Sequence, residues 1–486
     1  MDEQRPIPEG SILLALDQGG SSSRAIAFDR AGEVVASASV PVSERREGED
    51  QVEQDPEELV ESLCSAVREC VRSLGTDGAS RIFCAGLATQ RSSIVCWDRD
   101  SGRALSPVLS WQDRRAKDRL EALADRGDEI RERTGLRLSP HYGATKLAWC
   151  LEHLEPVRRA RAASRLVLGP LASFLVFRLL DERPLAADPA NASRTLLWSL
   201  AREDWDPELC ATFGVPIDAL PPCTPTERDF GTLGVGGPKI PFRVLTGDQS
   251  AALFALGPPR ADTAFVNVGT GAFVQRAVAE LPRRIPRLLA SVVWSDGKES
   301  RRVVEGTING AGSALRWLEA ELGLADVETQ LAGWLESSDE PPLFLNGVSG
   351  LAAPFWVPDF RSRFVGEGTP ASRAVAVLES VLFLACTILD EMALGIPRPA
   401  RILASGGLAR LDGLCDRLAS LAGVPVDRAT LPEATARGLA WLLSGSKDPW
   451  PEATAPRRFL PREDARLAAR YRQWRLEMDR ALRERS

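Results

Sequence analysis

Apolar and polar positions fall in blocks from the start of the chain. Ile12–Leu16 is an apolar run, Asp17-Gln18-Gly19-Gly20-Ser21-Ser22-Ser23 is polar and glycine-rich, and Arg24–Phe28 is extended, which predicts strand, turn and strand. Asp29–Gly32 turns again into Glu33–Val42, rich in β-formers. The period then changes to that of a helix, with Leu59, Val60, Leu63, Val67, Val71 and Leu74 recurring behind Asp55 as N-cap. Pro56 suits the first helical position, Glu57 and Glu58 suit the positive helix end, and Gly75 is the stop. Ile82–Leu87 and Ser93–Trp97 follow as strands, the alternation of an α/β fold.

Near the middle the opening pattern returns. Phe242–Thr246 is a strand that runs through Gly247 into a helix starting at Asp248. Phe265–Val268, the tight turn Gly269-Thr270-Gly271 and extended Ala272–Val278 repeat the first hairpin. Arg401–Ala404 leads through Ser405-Gly406-Gly407 into a helix spanning Cys415 and Leu421. Two halves of this kind predict a duplicated fold with a cleft between. Leu256-Gly257-Pro258-Pro259 marks the boundary, giving domains 1–257 and 258–486. Pro221–Pro241 reads as a long surface loop, and Arg462–Arg485 as a surface helix packing Leu467, Tyr471, Trp474 and Met478.

Composition removes several function classes. With 60 basic against 67 acidic residues the net charge is −7, and there is no basic run for a nucleic-acid backbone. His141 and His153 are the only histidines, so a histidine-rich metal cluster is excluded and a catalytic triad has few bases to draw on. Nine cysteines without a CxxC pair read as buried reduced thiols, which predicts a cytoplasmic protein. Leu166–Phe177 and the region around Val381–Cys386 read as too short or too interrupted to cross a membrane, and the acidic N-terminus as no signal peptide.

Glycine turns flanked by hydroxyls suit phosphate, because glycine admits close backbone N–H groups and Ser or Thr adds donors. Asp17–Arg24 has these parts, with an acid at the strand end able to hold hydrated Mg²⁺, and Gly269-Thr270-Gly271 is a second such turn. Neither a P-loop nor GxGxxG is present. Taken singly, Asp248 reads as an N-cap or as a general base at a cleft, Arg91 as a surface arginine and Trp111 as core.

Read in order, the blocks LALDQGGSSSRAIAFD, ATQRSSIVCWDRDSGRALSPVLSWQDRRA, TGLRLSPHYGATKLAW, GDQSAALFALG, NVGTGAFV, NGAGSALRWL, GLAAPFWVPDFR and ASGGLARL resemble the FGGY carbohydrate kinases, in their glycerol-kinase-like branch. The resemblance implies an α/β chain of two actin-like (ribonuclease-H-like) domains flanking an ATP/substrate cleft. It implies transfer of the ATP γ-phosphate, with Mg²⁺, to a hydroxyl of a small polyol or sugar. On that basis Asp248 matches the general base and Asp17 the metal-positioning acid. Gly20, Ser21, Ser22, Arg24, Thr270, Gly271, Gly312, Arg316, Gly406 and Gly407 fall on nucleotide-binding positions. Arg91, Ser92, Trp111, His141, Asp248, Gln249 and Phe273 fall on the substrate pocket. A homo-oligomer, a dimer, is also implied, with neither nucleic acid nor membrane as partner.

The departures from that branch concern mainly the substrate. Ser92 stands where its members carry glutamate; in Pro140-His141-Tyr142 either His141 replaces their tyrosine or Tyr142 shifts into its place, His141 being the better match by position. Gly20 replaces threonine, Ser405 aspartate, Leu411 asparagine and Arg316 glutamine. The resemblance therefore implies a kinase of glycerol or of another acceptor such as a ketopentose. The alternative is a catalytically weak ATP- or metabolite-binding sensor of the same fold.

Overall fold

A computed structural model describes residues 7–235, 237–282, 287–324, 326–336, 340–428, 433–451 and 456–484. In chain order, the first half supplies strands β1 (Ile12–Gln18), β2 (Ser22–Phe28) and β3 (Val34–Pro41), helix α1 (Pro56–Ser80), and strands β4 (Ile82–Thr89) and β5 (Ile94–Asp98). Helix α2 (Gly143–His153), strands β6 (Glu227–Leu233) and β7 (Ile240–Gly247) and the short helix α3 (Asp248–Ala252) are among its further elements. The second half supplies β8 (Thr263–Val268), β9 (Ala272–Val278), β10 (Leu289–Ser295), β11 (Ser300–Ile308), α4 (Gly312–Leu322) and α5 (Pro370–Met392). It ends with β12 (Arg401–Ser405), α6 (Asp412–Ala422), β13 (Val426–Arg428), α7 (Ala434–Leu443), β14 (Arg457–Phe459) and α8 (Ala465–Arg483).

The chain forms two compact units. The first holds residues 1–259 with two later returns, 290–302 and 432–453, and the second holds the remainder. The predicted boundary at 257/258 lies two residues from the main break, but a contiguous division leaves both returns in the second half.

The first unit is built on a six-stranded sheet of order β6-β7-β4-β1-β2-β3. β4 runs parallel to β1 and β7, whereas β2 pairs antiparallel with β1 and β3 antiparallel with β2. β1 is buried at every residue, as its apolar run requires of a central strand. Helix α1 starts as expected, with the Asp55 carboxylate accepting from Glu57 N and Glu58 N and Pro56 in the first turn. Gly75 breaks it at φ 67, and a further turn resumes to Ser80. Leu59, Leu63 and Val67 of this helix join Leu14, Leu16 and Phe242 of the sheet in one core.

The second unit repeats the arrangement, with strands in the order β11-β9-β8-β12-β13-β14. β8 again forms an antiparallel hairpin with β9 and runs parallel to β12, as β1 does with β2 and β4. The duplication expected from the glycine turns is thus present strand by strand. Its core gathers Val266, Val274, Leu315 and the apolar length of α5.

Two expectations change. Val381–Cys386 lies in α5, a helix of 23 residues, long and apolar enough to cross a membrane; an 18-residue stretch of it has mean hydropathy 1.8, and 94% of that stretch is buried inside the protein. Its polar residues, among them Glu379 and Ser380, interrupt the apolar run yet are themselves buried. Pro221–Pro241 is not all loop, since β6 pairs with β7 there. The polar Glu227, Arg228 and Asp229 and the irregular register before Gly231, at φ 116, hide its alternation.

Candidate functional site

The first unit gathers its polar residues where β1, β4 and β7 end. Asp17 closes β1 and is 2% exposed. Its register partner across the hairpin is Arg24, whose guanidinium reaches Asp17 Oδ2 at 2.5 Å and also pairs with Glu433, just before α7. Arg24, expected to face a phosphate, is therefore committed to two carboxylates. Burial raises the Asp17 carboxyl to about 6; Arg24 opposes this and the Asp248 carboxylate adds to it.

The turn after Asp17 rests on three buried amides that local sequence reasoning did not single out. Gln54 Nε2 donates to Gly20 O at 2.9 Å, Gln90 Nε2 donates to Gln54 Oε1 at 2.7 Å, and Gln18 Nε2 donates to Gly19 O at 2.6 Å. These bonds hold the backbone of Gly19 and Gly20, while Ser21 remains exposed and Gly20 and Ser22 half-buried. A Cβ on Gly20 would meet nothing within 4 Å, so the turn keeps open space where threonine was expected.

Asp248 is the first residue of α3, directly beyond β7. Its Oδ1 accepts from Gln249 N at 2.7 Å, so the N-cap reading does not hold; Gly247 is the capping residue and Asp248 lies inside the helix. Arg91, expected at the surface, is 7% exposed; its Nη2 donates to Gln249 Oε1 and its Nε lies 3.9 Å from Asp248 Oδ1. Gly247 makes this possible, because a Cβ there would lie 2.5 Å from Arg91 Cγ. Burial raises the Asp248 carboxyl above the usual carboxylate range and Arg91 opposes it, although 30% of the side chain reaches solvent.

Beside this group stand three further expected residues. Ser92 occupies a left-handed turn at φ 66, and its hydroxyl donates to Arg194 O at 3.3 Å. Trp111, expected in the core, is 46% exposed. His141 is half-buried, and its Nδ1–H donates to Trp111 O at 3.0 Å, which leaves Nε2 as the acceptor of the neutral ring. Burial holds its pKa below the ordinary value. Behind them Lys146 of α2 donates to Ser92 O, Ser110 O and His141 O at 2.7, 2.9 and 2.8 Å. Burial lowers its ammonium to about 7, against the attraction of Asp113.

The second unit carries the other expected set. Gly269 N donates to Gly271 O at 2.9 Å in the β8–β9 turn, and the start of α4 sits on that turn: Gly312 N donates to Gly269 O at 2.9 Å and Ser313 N to Thr270 O at 3.0 Å. Gly271 and Gly312 are needed for the close approach, since a Cβ on either would lie within 3.0 Å of a backbone oxygen. Thr270 and Arg316 are exposed. At the end of β12, Asn267 Nδ2 donates to Ser405 Oγ at 3.0 Å, and exposed Gly406 takes φ 94 with Gly407 following. Phe273, half-buried on β9 opposite Asn267, belongs to this unit.

Comparison with known proteins adds a further set of findings. Residues 12–255 match the N-terminal domain of the FGGY family of carbohydrate kinases, and residues 264–444 match its C-terminal domain. A glycerol kinase of Thermus brockianus is 38% identical over 490 residues, covering 96% of this chain and 98% of that protein. A glycerol kinase of Cereibacter sphaeroides is 34% identical over 488 residues, covering 95% and 97%. Among solved structures, Plasmodium falciparum glycerol kinase with ADP superposes with a TM-score of 0.88 at 21% identity, covering 97% and 98% of the two chains. Xylulose kinase from Rhodospirillum rubrum gives 0.85 at 22%, covering 96% and 98%. At that identity the structural likeness speaks for the fold.

Proposed function

The chain belongs to the FGGY family of carbohydrate kinases and is an ATP-dependent kinase of a small polyol or sugar that works with Mg²⁺; within that activity we propose that it phosphorylates a hydroxyl of a small polyol, glycerol first among them, with Asp248 as general base. The observation that carries this is the grouping of Asp248, Arg91 and Gln249 at the end of β7, with Asp248 close enough to raise the Asp17 carboxyl. The glycerol kinases among its relatives support the acceptor.

Phosphoryl transfer asks the protein for positioning and charge stabilisation, since the chain itself forms no covalent bond. Arg91 and Gln249 orient the acceptor hydroxyl, Asp248 takes its proton, and the face of Trp111 covers the C–H side. The backbone of Gly20, Ser21 and Ser22, and in the second unit that of Thr270 and Gly271, offers N–H groups to phosphate oxygens; Gly312, Arg316 and the Gly406–Gly407 turn offer the surface for the rest of the nucleotide.

Mg²⁺ fits what Asp17 offers. This ion keeps several waters and takes one or two carboxylates together with substrate phosphates, and no cluster of three or more His, Cys, Asp or Glu suited to a metal occurs among the described residues. Asp17, buried, paired with Arg24 and repelled by Asp248, would hold it; when bound, the ion neutralises charge on the transferring phosphoryl group.

A panel of glycerol, longer polyols and ketopentoses with ATP and Mg²⁺, followed by ADP release, tests the reading; turnover on none of them, with ATP still bound, would favour a sensor. Two finer outcomes are expected. Ser92→Glu restores a charged acceptor and should lower the glycerol KM about tenfold, the worth of one hydrogen bond to a charged group; an unchanged or higher KM would contradict this. The acid limb of kcat/KM should lie above the ordinary carboxylate range, because burial raises Asp248 and its base form is needed. Activity should therefore fall as pH drops through that raised value, and a limb at or below pH 4 would count against Asp248.

A further inference from the structure

Lys146 is fully buried on α2, and the mechanism above gives it no part. An ammonium has three N–H donors, and each is used on a backbone carbonyl: Ser92 O at 2.7 Å, Ser110 O at 2.9 Å and His141 O at 2.8 Å. Those carbonyls come from three segments far apart in the chain. Each segment carries a residue proposed for the acceptor pocket, Ser92 and His141 themselves and Trp111 next to Ser110. Further bonds tie the same segments, with Trp111 N donating to Ser93 Oγ at 3.0 Å and His141 Nδ1 to Trp111 O at 3.0 Å. A buried cation serving three carbonyls fixes loop backbones that would otherwise be free to shift, at a desolvation cost which the nearby Asp113 carboxylate partly offsets.

We propose that Lys146 is a positioning residue for the acceptor, its ammonium holding the Ser92, Trp111 and His141 segments in one geometry. This rests on the reading that those three segments line the acceptor pocket. The nucleotide-binding turns of the second unit are not among its partners.

Lys146→Met keeps most of the length of the side chain and removes all three donors. With glycerol varied at saturating ATP, and ATP varied at saturating glycerol, the glycerol KM should rise about 10- to 100-fold while the ATP KM stays within about twofold, because displacement of about 1 Å in a site can cost 10²-fold. Lys146→Gln, which retains two donors, should fall between the variant and the wild type and serves if the methionine form does not fold. Cys150→Ala, buried one helical turn further on α2, is the packing control: it should lower Tm with the glycerol KM unchanged. A folded Lys146→Met or Lys146→Gln with wild-type glycerol KM would overturn the proposal. So would equal shifts in both KM values, or a Cys150→Ala enzyme with the same rise in glycerol KM. Wild-type protein that turns over no polyol or sugar would instead overturn the acceptor reading itself.

Discussion

Asp248→Asn should lower kcat by about 10²- to 10⁴-fold, the range of a lost general base, while nucleotide affinity stays near that of the wild type. Asparagine keeps the size and the contact with Gln249 N but cannot take a proton. The charge of Arg91, 3.9 Å from Asp248 Oδ1, then loses this carboxylate partner. Part of the loss will therefore appear in acceptor KM. Steady-state kinetics with glycerol, beside ADP binding by calorimetry, separate the two effects. A kcat within threefold of wild type would remove Asp248 from the mechanism and return the residue to a structural role in α3.

Gly438→Ala should destabilise the protein by about 3 kcal/mol or more, beyond the usual cost of overpacking, and should depress turnover as well. A Cβ at Gly438 would lie 1.8 Å from Ala251 O and within 3.1 Å of Ala255 N, both backbone atoms that cannot step aside as a flexible side chain would. α7 packs on α3 at this point, so relief of the clash must push α3, and with it Asp248, away from Arg91. Thermal unfolding should show a Tm several degrees lower, and the surviving enzyme a reduced kcat/KM for the acceptor. A variant with wild-type Tm and kinetics would mean that α7 and α3 can separate without consequence.

The strand-and-turn frame was legible because it is local. Apolar runs ending in glycine turns announce β1, β2, β8 and β9, and an acid at the end of a β-strand marks Asp17 and Asp248. The rest of the site depends on contacts that no local period encodes. Gln18, Gln54 and Gln90 look like ordinary polar residues until the fold brings their amides under Gly19 and Gly20. Lys146 sits in a stretch quoted for its family likeness, yet nothing in the stretch shows that three distant carbonyls await it; its one signal is a lysine amid residues otherwise suited to burial. The solitary readings of Arg91 and Trp111 came out reversed, the arginine buried and the tryptophan exposed, since burial there follows from the tertiary fold rather than from residue type. The long burial of α5 was obscured by its few polar positions.

The late return of residues 432–453 to the first unit has a consequence for how the protein is made. Helix α7 covers β1, β4, β7 and α3, and Arg437 donates to Ala255 O at 2.9 Å and Gly32 O at 2.5 Å. The ribosome releases β1 first and α7 almost last. At roughly 5–20 residues per second, the sheet that carries Asp17 waits on the order of ten seconds or longer for its final cover. During that interval the apolar seat of α7 is open to chaperones and to other nascent chains. A fragment ending at residue 257 would keep the seat open permanently, so pieces cut at the apparent midpoint of the chain should be insoluble, whereas co-expression of residues 432–453 should recover part of the first unit.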